Sequence, residues 1–174
     1  QGVLCMVQQY HYRLEDLLKK KNPLLMILEN LQDPGNLGTM IRTGEGAGIT
    51  GVIMNNQTVD IFNPKTIRAT MGSIFRVPFV YVPDLAPVLE QMHAKGIHTY
   101  AAHLKGQEYY DSFSFREPTA FLIGNEGNGL SKEISDQAGQ YLKIPMEGRV
   151  ESLNASIAAA LLMYEAHRQR SARL

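Results

Sequence analysis

The chain holds a single cysteine, Cys5, in 174 residues. No internal disulfide can form, and a reducing, cytoplasmic setting is the expectation. No apolar run approaches the roughly 18 residues of a membrane span. The start, Gln1-Gly2-Val3, lacks the charged region and the apolar stretch of a signal peptide. It also lacks an initiator Met, so a segment upstream is expected to have been removed. Net charge is absent as well, with 17 basic against 17 acidic side chains. A nucleic-acid partner would therefore need a local basic patch. His11, His93, His98, His103 and His167 are scattered, with no HxxxH pair and no Cys partner, so no metal site is expected. The GxSxG nucleophile elbow is missing too. Asn56-Gln57-Thr58 and Asn154-Ala155-Ser156 match a glycosylation sequon, but without a secretory route both are read as chance.

What is present is a composition that can core one domain: 44% apolar, 20% charged. Leu24–Leu28 is a short, fully apolar run of the kind that forms a strand covered on both faces. Similar runs are Gly51–Met54, Val77–Val82, Ile97–Ala102, Phe121–Ile123 and Tyr141–Ile144. Helical spacing lies between them. Leu37, Met40 and Ile41 share one predicted face, as do Ile67, Met71 and Ile74, then Leu85, Val88, Leu89 and Met92. In the last helix Leu153, Ile157, Leu161 and Tyr164 recur at helical intervals, with Ala filling the gaps. Strands alternating with helices predict an α/β fold with a mostly parallel sheet flanked by helices. Residues 1–21 read as a linker or edge element outside the core, which leaves 22–174 as the domain.

Ligands in open parallel sheets sit beyond the carboxyl ends of the strands, so the segments after strands are the ones to examine. Gly46–Gly51 spells GxGxxG, but a helix precedes it and a strand follows. That order is the reverse of a dinucleotide fingerprint, and the segment reads as a helix C-terminus with a left-handed glycine. Gly124–Gly129 does follow a strand. It lacks the Lys and Ser/Thr of a P-loop, and Glu126 within it would repel phosphate, so the loop suits a ligand with positive or hydroxyl groups. After the first strand comes Asp33–Thr43, with a Pro34-Gly35 turn, Asn36 as the expected helix cap and Arg42 further along. A third segment, Ile144–Ser156, leads through a Pro/Gly loop into the final helix, which Ser152 or Asn154 would cap.

Together these three segments resemble the SpoU (TrmH) family of RNA ribose 2′-O-methyltransferases, within the knotted SPOUT superfamily. Asn36, Gly38, Arg42 and Thr43 match its first motif, and Gly124, Glu126, Gly129 and Leu130 its second. Ile144, Pro145, Met146, Ser152, Leu153, Asn154 and Ser156 match its third. The likeness runs in order over residues 22–170. One departure is Gly44–Gly48, where the family carries Ala and an aromatic residue before the Gly, which implies different packing at that helix end.

The resemblance implies a deep C-terminal trefoil knot, a homodimer, and methyl transfer from S-adenosylmethionine to a ribose 2′-hydroxyl in tRNA or rRNA. General topology rules alone would argue against any knot. By position the cofactor would be held by Ala102, Gly124, Ile144, Met146, Ser152 and Leu153. Arg42 would be the catalytic residue, acting on the cofactor of the other subunit. Asn36 and Asn154 would orient Arg42 or the ribose, and Glu126 would pair with Arg42 or hold its loop. The family's N-terminal RNA-binding domain is not within this sequence, and residues 1–21 look like the linker that would follow one.

RNA would need basic patches, for which Arg42, Lys65, Arg68, Arg76, Arg149 and the tail Arg168, Arg170 and Arg173 are the candidates. Two other functions fit the same residues: a non-catalytic RNA-binding domain, and a methyltransferase acting on another atom. The intact Arg42, Glu126 and Ser152–Asn154 set speaks against the first, and the Asn36/Arg42 pattern favours ribose over the second.

Overall fold

The computed structural model describes Gly2, Met6 and residues 8–171, so Cys5 and Arg173 lie outside the described residues. Its centre is a six-stranded sheet built from β1 (Leu24–Leu28), β2 (Gly51–Asn55), β3 (Phe79–Val82), β4 (His98–Ala102), β5 (Thr119–Ile123) and β6 (Gln140–Leu142). The strand order is β3-β2-β1-β5-β4-β6, and every pairing is parallel. β1 sits between β2 and β5, with Leu25 opposite Gly51 and Leu28 opposite Ile123. All five of its residues are buried, as a strand covered on both faces requires.

Alternate residues of the strands feed two cores. Leu24, Met26 and Leu28 pack with Leu37, Met40 and Ile41 of α2 (Pro34–Ala47) and with Leu162 and Met163 of α6 (Ala155–Ser171). Leu25 and Ile27 face the other side. There they meet α1 (Leu14–Leu18), α4 (Ala86–Ala94) and α5 (Lys132–Gln137) through Leu17, Leu18, Val88, Leu89, Met92 and Ile134. Leu17 and Leu18 are thus core residues, which corrects the reading of 1–21 as lying wholly outside the core.

Strand limits moved where proline intervenes. The run expected from Val77 starts its ladder only at Phe79, because Pro78 has no N–H to donate and offers its carbonyl to Val52 instead. β6 stops at Leu142, so Ile144 and Pro145 already belong to the loop.

Two predicted helix faces are wrong. α3 (Pro64–Thr70) ends where Met71 takes φ 50° and Gly72 φ 90°. Ile67 and Met71 point outward, while Thr66 and Thr70 are buried. The cause is a close crossing with α2: a Cβ on Gly38 would lie 2.5 Å from the Ala69 Cβ and 2.7 Å from the Thr66 carbonyl oxygen. Only small side chains fit there. In α6 the stripe Ile157, Leu161 and Tyr164 also faces outward, and Ser156, Ala159, Leu162, Met163 and Ala166 form the buried face. Gly46–Gly51 is as expected, with Gly48 a left-handed cap at the end of α2 (φ 77°).

Candidate active site

The strand order reverses direction at β1, so the loops that follow β1 and β5 lie side by side at the carboxyl edge of the sheet. This is the switch point where such folds bind ligands. The loop after β1 enters α2 through Asp33, whose Oδ1 accepts from the main-chain N–H of Gly35 at 2.6 Å and of Asn36 at 2.9 Å. Asp33, not Asn36, is therefore the helix cap. Pro34 at the first helical position is the sequence signal that could have shown it. The Asn36 N–H donors hold its carboxyl below the usual range against the opposing effect of burial, with Gly35 and Lys65 adding to the lowering.

Freed from capping, the Asn36 side chain joins a run across three loops. Its Nδ2 donates to Glu126 Oε1 at 3.0 Å, and Asn154 Nδ2 donates to Asn36 Oδ1 at 3.0 Å. Asn154 Oδ1 in turn accepts from the Ser156 N–H at 2.8 Å and so caps α6. The amide orientations follow from chemistry. Glu126 can only accept and the helix end can only donate, so each amide has one consistent orientation. Glu126 is further fixed by the N–H groups of Gln32 (3.0 Å, to Oε2) and Asp33 (2.9 Å, to Oε1). Burial raises its carboxyl pKa, but Asn36 and these main-chain donors outweigh that and leave it lowered.

Arg42 is not part of this run. It lies six residues beyond Asn36, about 9 Å along α2, exposed and without a hydrogen-bond or ion partner among the described residues. Of the paired expectations, Glu126 bonds to the loop after β1 and not to Arg42, and Asn36 and Asn154 bond to each other, to Glu126 and to main chain and not to Arg42.

Beside the run opens a cleft of about 280 Å³. All six positions expected from the resemblance line it: Ala102, Gly124, Ile144, Met146, Ser152 and Leu153. Gly124 has no room for a side chain, since a Cβ would lie 2.1 Å from the main chain of Gly129 and Leu130. That approach closes the Asn125–Gly129 turn, whose ends exchange hydrogen bonds of 3.0 and 2.8 Å. The sequence did not single out His103 for this cleft. Its ring stacks on Tyr141 at 4.9 Å, and Nδ1 accepts from the Lys105 N–H, so the neutral ring carries its proton on Nε2. Burial, and then the Lys105 charge, lower its pKa against a raising effect from Asp136.

The basic candidates divide. Arg42, Arg68 and Arg149 are exposed and unpaired among the described residues. Lys65 pairs with Asp33 at 3.5 Å, Arg76 with Glu45 and Arg168 with Glu165. Arg170 is withdrawn from any surface role, because its guanidinium donates to the carbonyls of Phe115, Asn22, Pro23 and Glu117.

Comparison with known proteins agrees with this geometry. The profile of the SpoU rRNA methylase family matches residues 23–164. YacO of Bacillus subtilis, a TrmH family protein, is 36% identical over 177 residues, covering 98% of this chain and 71% of YacO. The AdoMet-bound rRNA methyltransferase of Sinorhizobium meliloti superposes with a TM-score of 0.86 at 36% identity, over 92% of this chain and 62% of that protein. An RNA 2′-O ribose methyltransferase superposes with a TM-score of 0.81 at 30% identity, over 94% of this chain and 61% of its own. The chain spans less than two thirds of the length of these solved relatives. Sequence motifs, sheet order and the loops at the switch point thus converge, and the chain belongs to the SpoU rRNA methylase family.

Proposed function

We propose that the protein is an S-adenosylmethionine-dependent methyltransferase acting on a ribose 2′-hydroxyl of tRNA or rRNA. The observation that carries this reading is the Asn154–Asn36–Glu126 run beside the cleft. It fixes a polar edge, made from three loops, next to an apolar chamber. The chamber suits the cofactor on two counts. Ala102, Leu142, Ile144, Leu153, Ala155 and Ala158 give it an apolar wall. The strap 144–153 makes no main-chain hydrogen bond within the described residues, so its N–H and C=O groups remain for adenine and ribose.

When bound, S-adenosylmethionine supplies an electrophilic methyl group on a sulfonium sulfur. The protein's part is to exclude water, align the ribose oxygen and stabilise its developing charge. Arg42 cannot serve as a general base, because a guanidinium stays protonated. Its fork instead pins an RNA phosphate and faces the forming alkoxide. Arg68 and Arg149 add phosphate contacts.

A homodimer belongs to the same proposal. α2 packs on α6, and the outward stripe Ile157, Leu161 and Tyr164 is the apolar surface that a second copy would cover. Arg42, unpaired in its own chain, would then serve the partner's cleft. The trefoil knot is also part of this reading. Loop 103–118 is bonded to Lys143 through Glu108 and Tyr110, and to Gln169 and Arg170 through Phe113, Phe115 and Glu117. A chain end threaded through that loop would make such contacts.

Calorimetry with S-adenosylmethionine and S-adenosylhomocysteine tests the reading. Saturable binding is expected, with a melting temperature that rises with ligand concentration. No binding at millimolar concentration, or binding of a nicotinamide dinucleotide instead, would contradict it.

A further inference from the structure

Among the side chains that line the Gly124 cleft, His103 has no place yet in the proposed reaction. It follows the last residue of β4, and the chain there is clamped to the end of β6. The His103 N–H donates to the Leu142 carbonyl at 3.0 Å, and the Gly106 N–H returns to the His103 carbonyl at 3.0 Å. Gly106 closes that turn against β6, where a Cβ would lie 2.8 Å from the Leu142 carbonyl carbon. His103 therefore stands beside Ala102 and Leu142, two residues of the cleft's apolar wall.

The ring is held from two sides. Nδ1 accepts from the Lys105 N–H at 3.0 Å. One face stacks on Tyr141, with the centroids 4.9 Å apart and the planes 17° from parallel. Tyr141 is itself anchored, because its hydroxyl donates to Asp136 Oδ1 at 3.1 Å. What remains is Nε2, which carries the proton of the neutral ring. It finds no acceptor among the described residues and is open to solvent there. Two other polar side chains of the cleft are already committed: Asn125 to Asn30, Gly127 and Asn128, and Glu126 to Asn36, Gln32 and Asp33.

The state of the ring decides the chemistry of its acceptor. Nδ1 can accept from Lys105 only while the imidazole is neutral, and burial with the Lys105 charge lowers its pKa against Asp136. A carboxylate acceptor would draw a proton onto the ring and set two N–H groups against each other. A hydroxyl makes no such demand, since it accepts from a neutral donor. The methyl donor carries two hydroxyls, both on the ribose of its adenosine half, and the apolar wall next to His103 suits that half's adenine. We infer that His103 Nε2–H donates to a ribose hydroxyl of the cofactor and so selects a nucleoside with an intact ribose. The inference rests on S-adenosylmethionine as the occupant of this cleft.

Such a bond would bear on the reaction through position. The sulfonium sulfur is bonded to the 5′ carbon of that ribose, so a ribose held against the ends of β4 and β6 limits where the methyl group can lie. The donor is already oriented before the cofactor arrives, because Tyr141 and the Lys105 N–H fix the ring in the free protein.

The test is a calorimetric titration of the whole chain without RNA. The ligands are S-adenosylhomocysteine, its 2′-deoxy and 3′-deoxy forms, and 5′-methylthioadenosine, which lacks the amino-acid tail. His103→Asn keeps an acceptor for the Lys105 N–H but is too short to replace Nε2, and His103→Gln puts an amide N–H back near that place. His103→Asn is expected to bind S-adenosylhomocysteine and 5′-methylthioadenosine roughly three- to tenfold more weakly, the worth of one neutral hydrogen bond. The melting temperature of the free protein is expected to stay unchanged. His103→Gln is expected to recover part of the loss, and one of the two deoxy forms to bind wild type and His103→Asn equally. Should the variants not fold, the imidazole nitrogen spectrum of the wild type decides: S-adenosylhomocysteine is expected to shift His103 Nε2 and to slow exchange of its proton. Unchanged affinity in His103→Asn, a loss that persists with both deoxy forms, a loss confined to ligands with the amino-acid tail, or an unmoved Nε2 resonance would each overturn the inference. Those outcomes leave cofactor binding intact, whereas absence of binding by the wild type would contradict the cofactor reading and this inference with it.

Discussion

At the scale of the residue, the central feature is that Asn36 and Asn154 relay between a carboxylate and a helix end. Every donor in the run points toward Glu126, so the hydrogen bonds polarise one another in one direction. Asn36→Asp would set two carboxylates against each other and break the run at its centre. We expect it to cost about 1–3 kcal/mol in stability and to depress methyl transfer strongly, whereas Glu126→Gln should retain part of both. Denaturant midpoints and initial rates check this. Acid should have the effect of Glu126→Gln, since it removes the same charge. The folded pKa of Glu126 lies below its ordinary value of 4.5, so the bonds are intact above that value and are lost as pH falls through the lowered one.

The motif residues were legible in the sequence, but their bonding was not. Asn36 and Asn154 are 118 positions apart, and the bond joining them depends on how two strands are ordered. The burial of Glu29, whose Oε2 accepts from the Ser131 N–H at 2.7 Å, was not legible for a similar reason. Nothing in the apolar run before it says that its carboxylate will be buried beside Ser131.

At the scale of the element, α3 and α6 show where periodicity misleads. Apolar residues at helical spacing predicted a core face, but α3 buries Thr66 and Thr70 and turns Ile67 and Met71 outward, and α6 buries the face of Ala159, Leu162, Met163 and Ala166 in place of the predicted stripe. At α3 the crossing with α2 decides the matter. Gly38→Ala would force the Ala69 side chain and the Thr66 carbonyl away, an overpacking cost of about 1–3 kcal/mol. Chemical denaturation is expected to show that loss, and an unchanged midpoint would mean that the crossing is looser than the geometry requires. At α6 the outward stripe is the surface assigned to a second copy. Leu161 is 37% exposed, so Leu161→Glu is expected to leave the folded chain stable and to convert dimer to monomer in sedimentation. A variant that stays dimeric would place the interface elsewhere. In α2 and α4 the predicted apolar faces are the buried ones: Leu37, Met40 and Ile41 in the first, Val88, Leu89 and Met92 in the second.

At the scale of the whole molecule, alternating strands and helices made the parallel α/β class readable, because strands buried on both faces are apolar without interruption. The order β3-β2-β1-β5-β4-β6 was not readable from periodicity. No local pattern tells β5 to insert beside β1, yet that insertion brings Glu126 to Asn36 and makes the site. Arg42 stands outside the run, and the account gives it the phosphate and the developing charge. The most direct test is to incubate the protein with methyl-labelled S-adenosylmethionine and unmodified tRNA and rRNA, digest the RNA to nucleosides and identify the labelled product. The account predicts a 2′-O-methylnucleoside from the wild-type chain. It also predicts a rate lower by on the order of 100- to 1,000-fold in Arg42→Ala, poorly restored by Arg42→Lys. Label on a base, or full activity in Arg42→Ala, would contradict it.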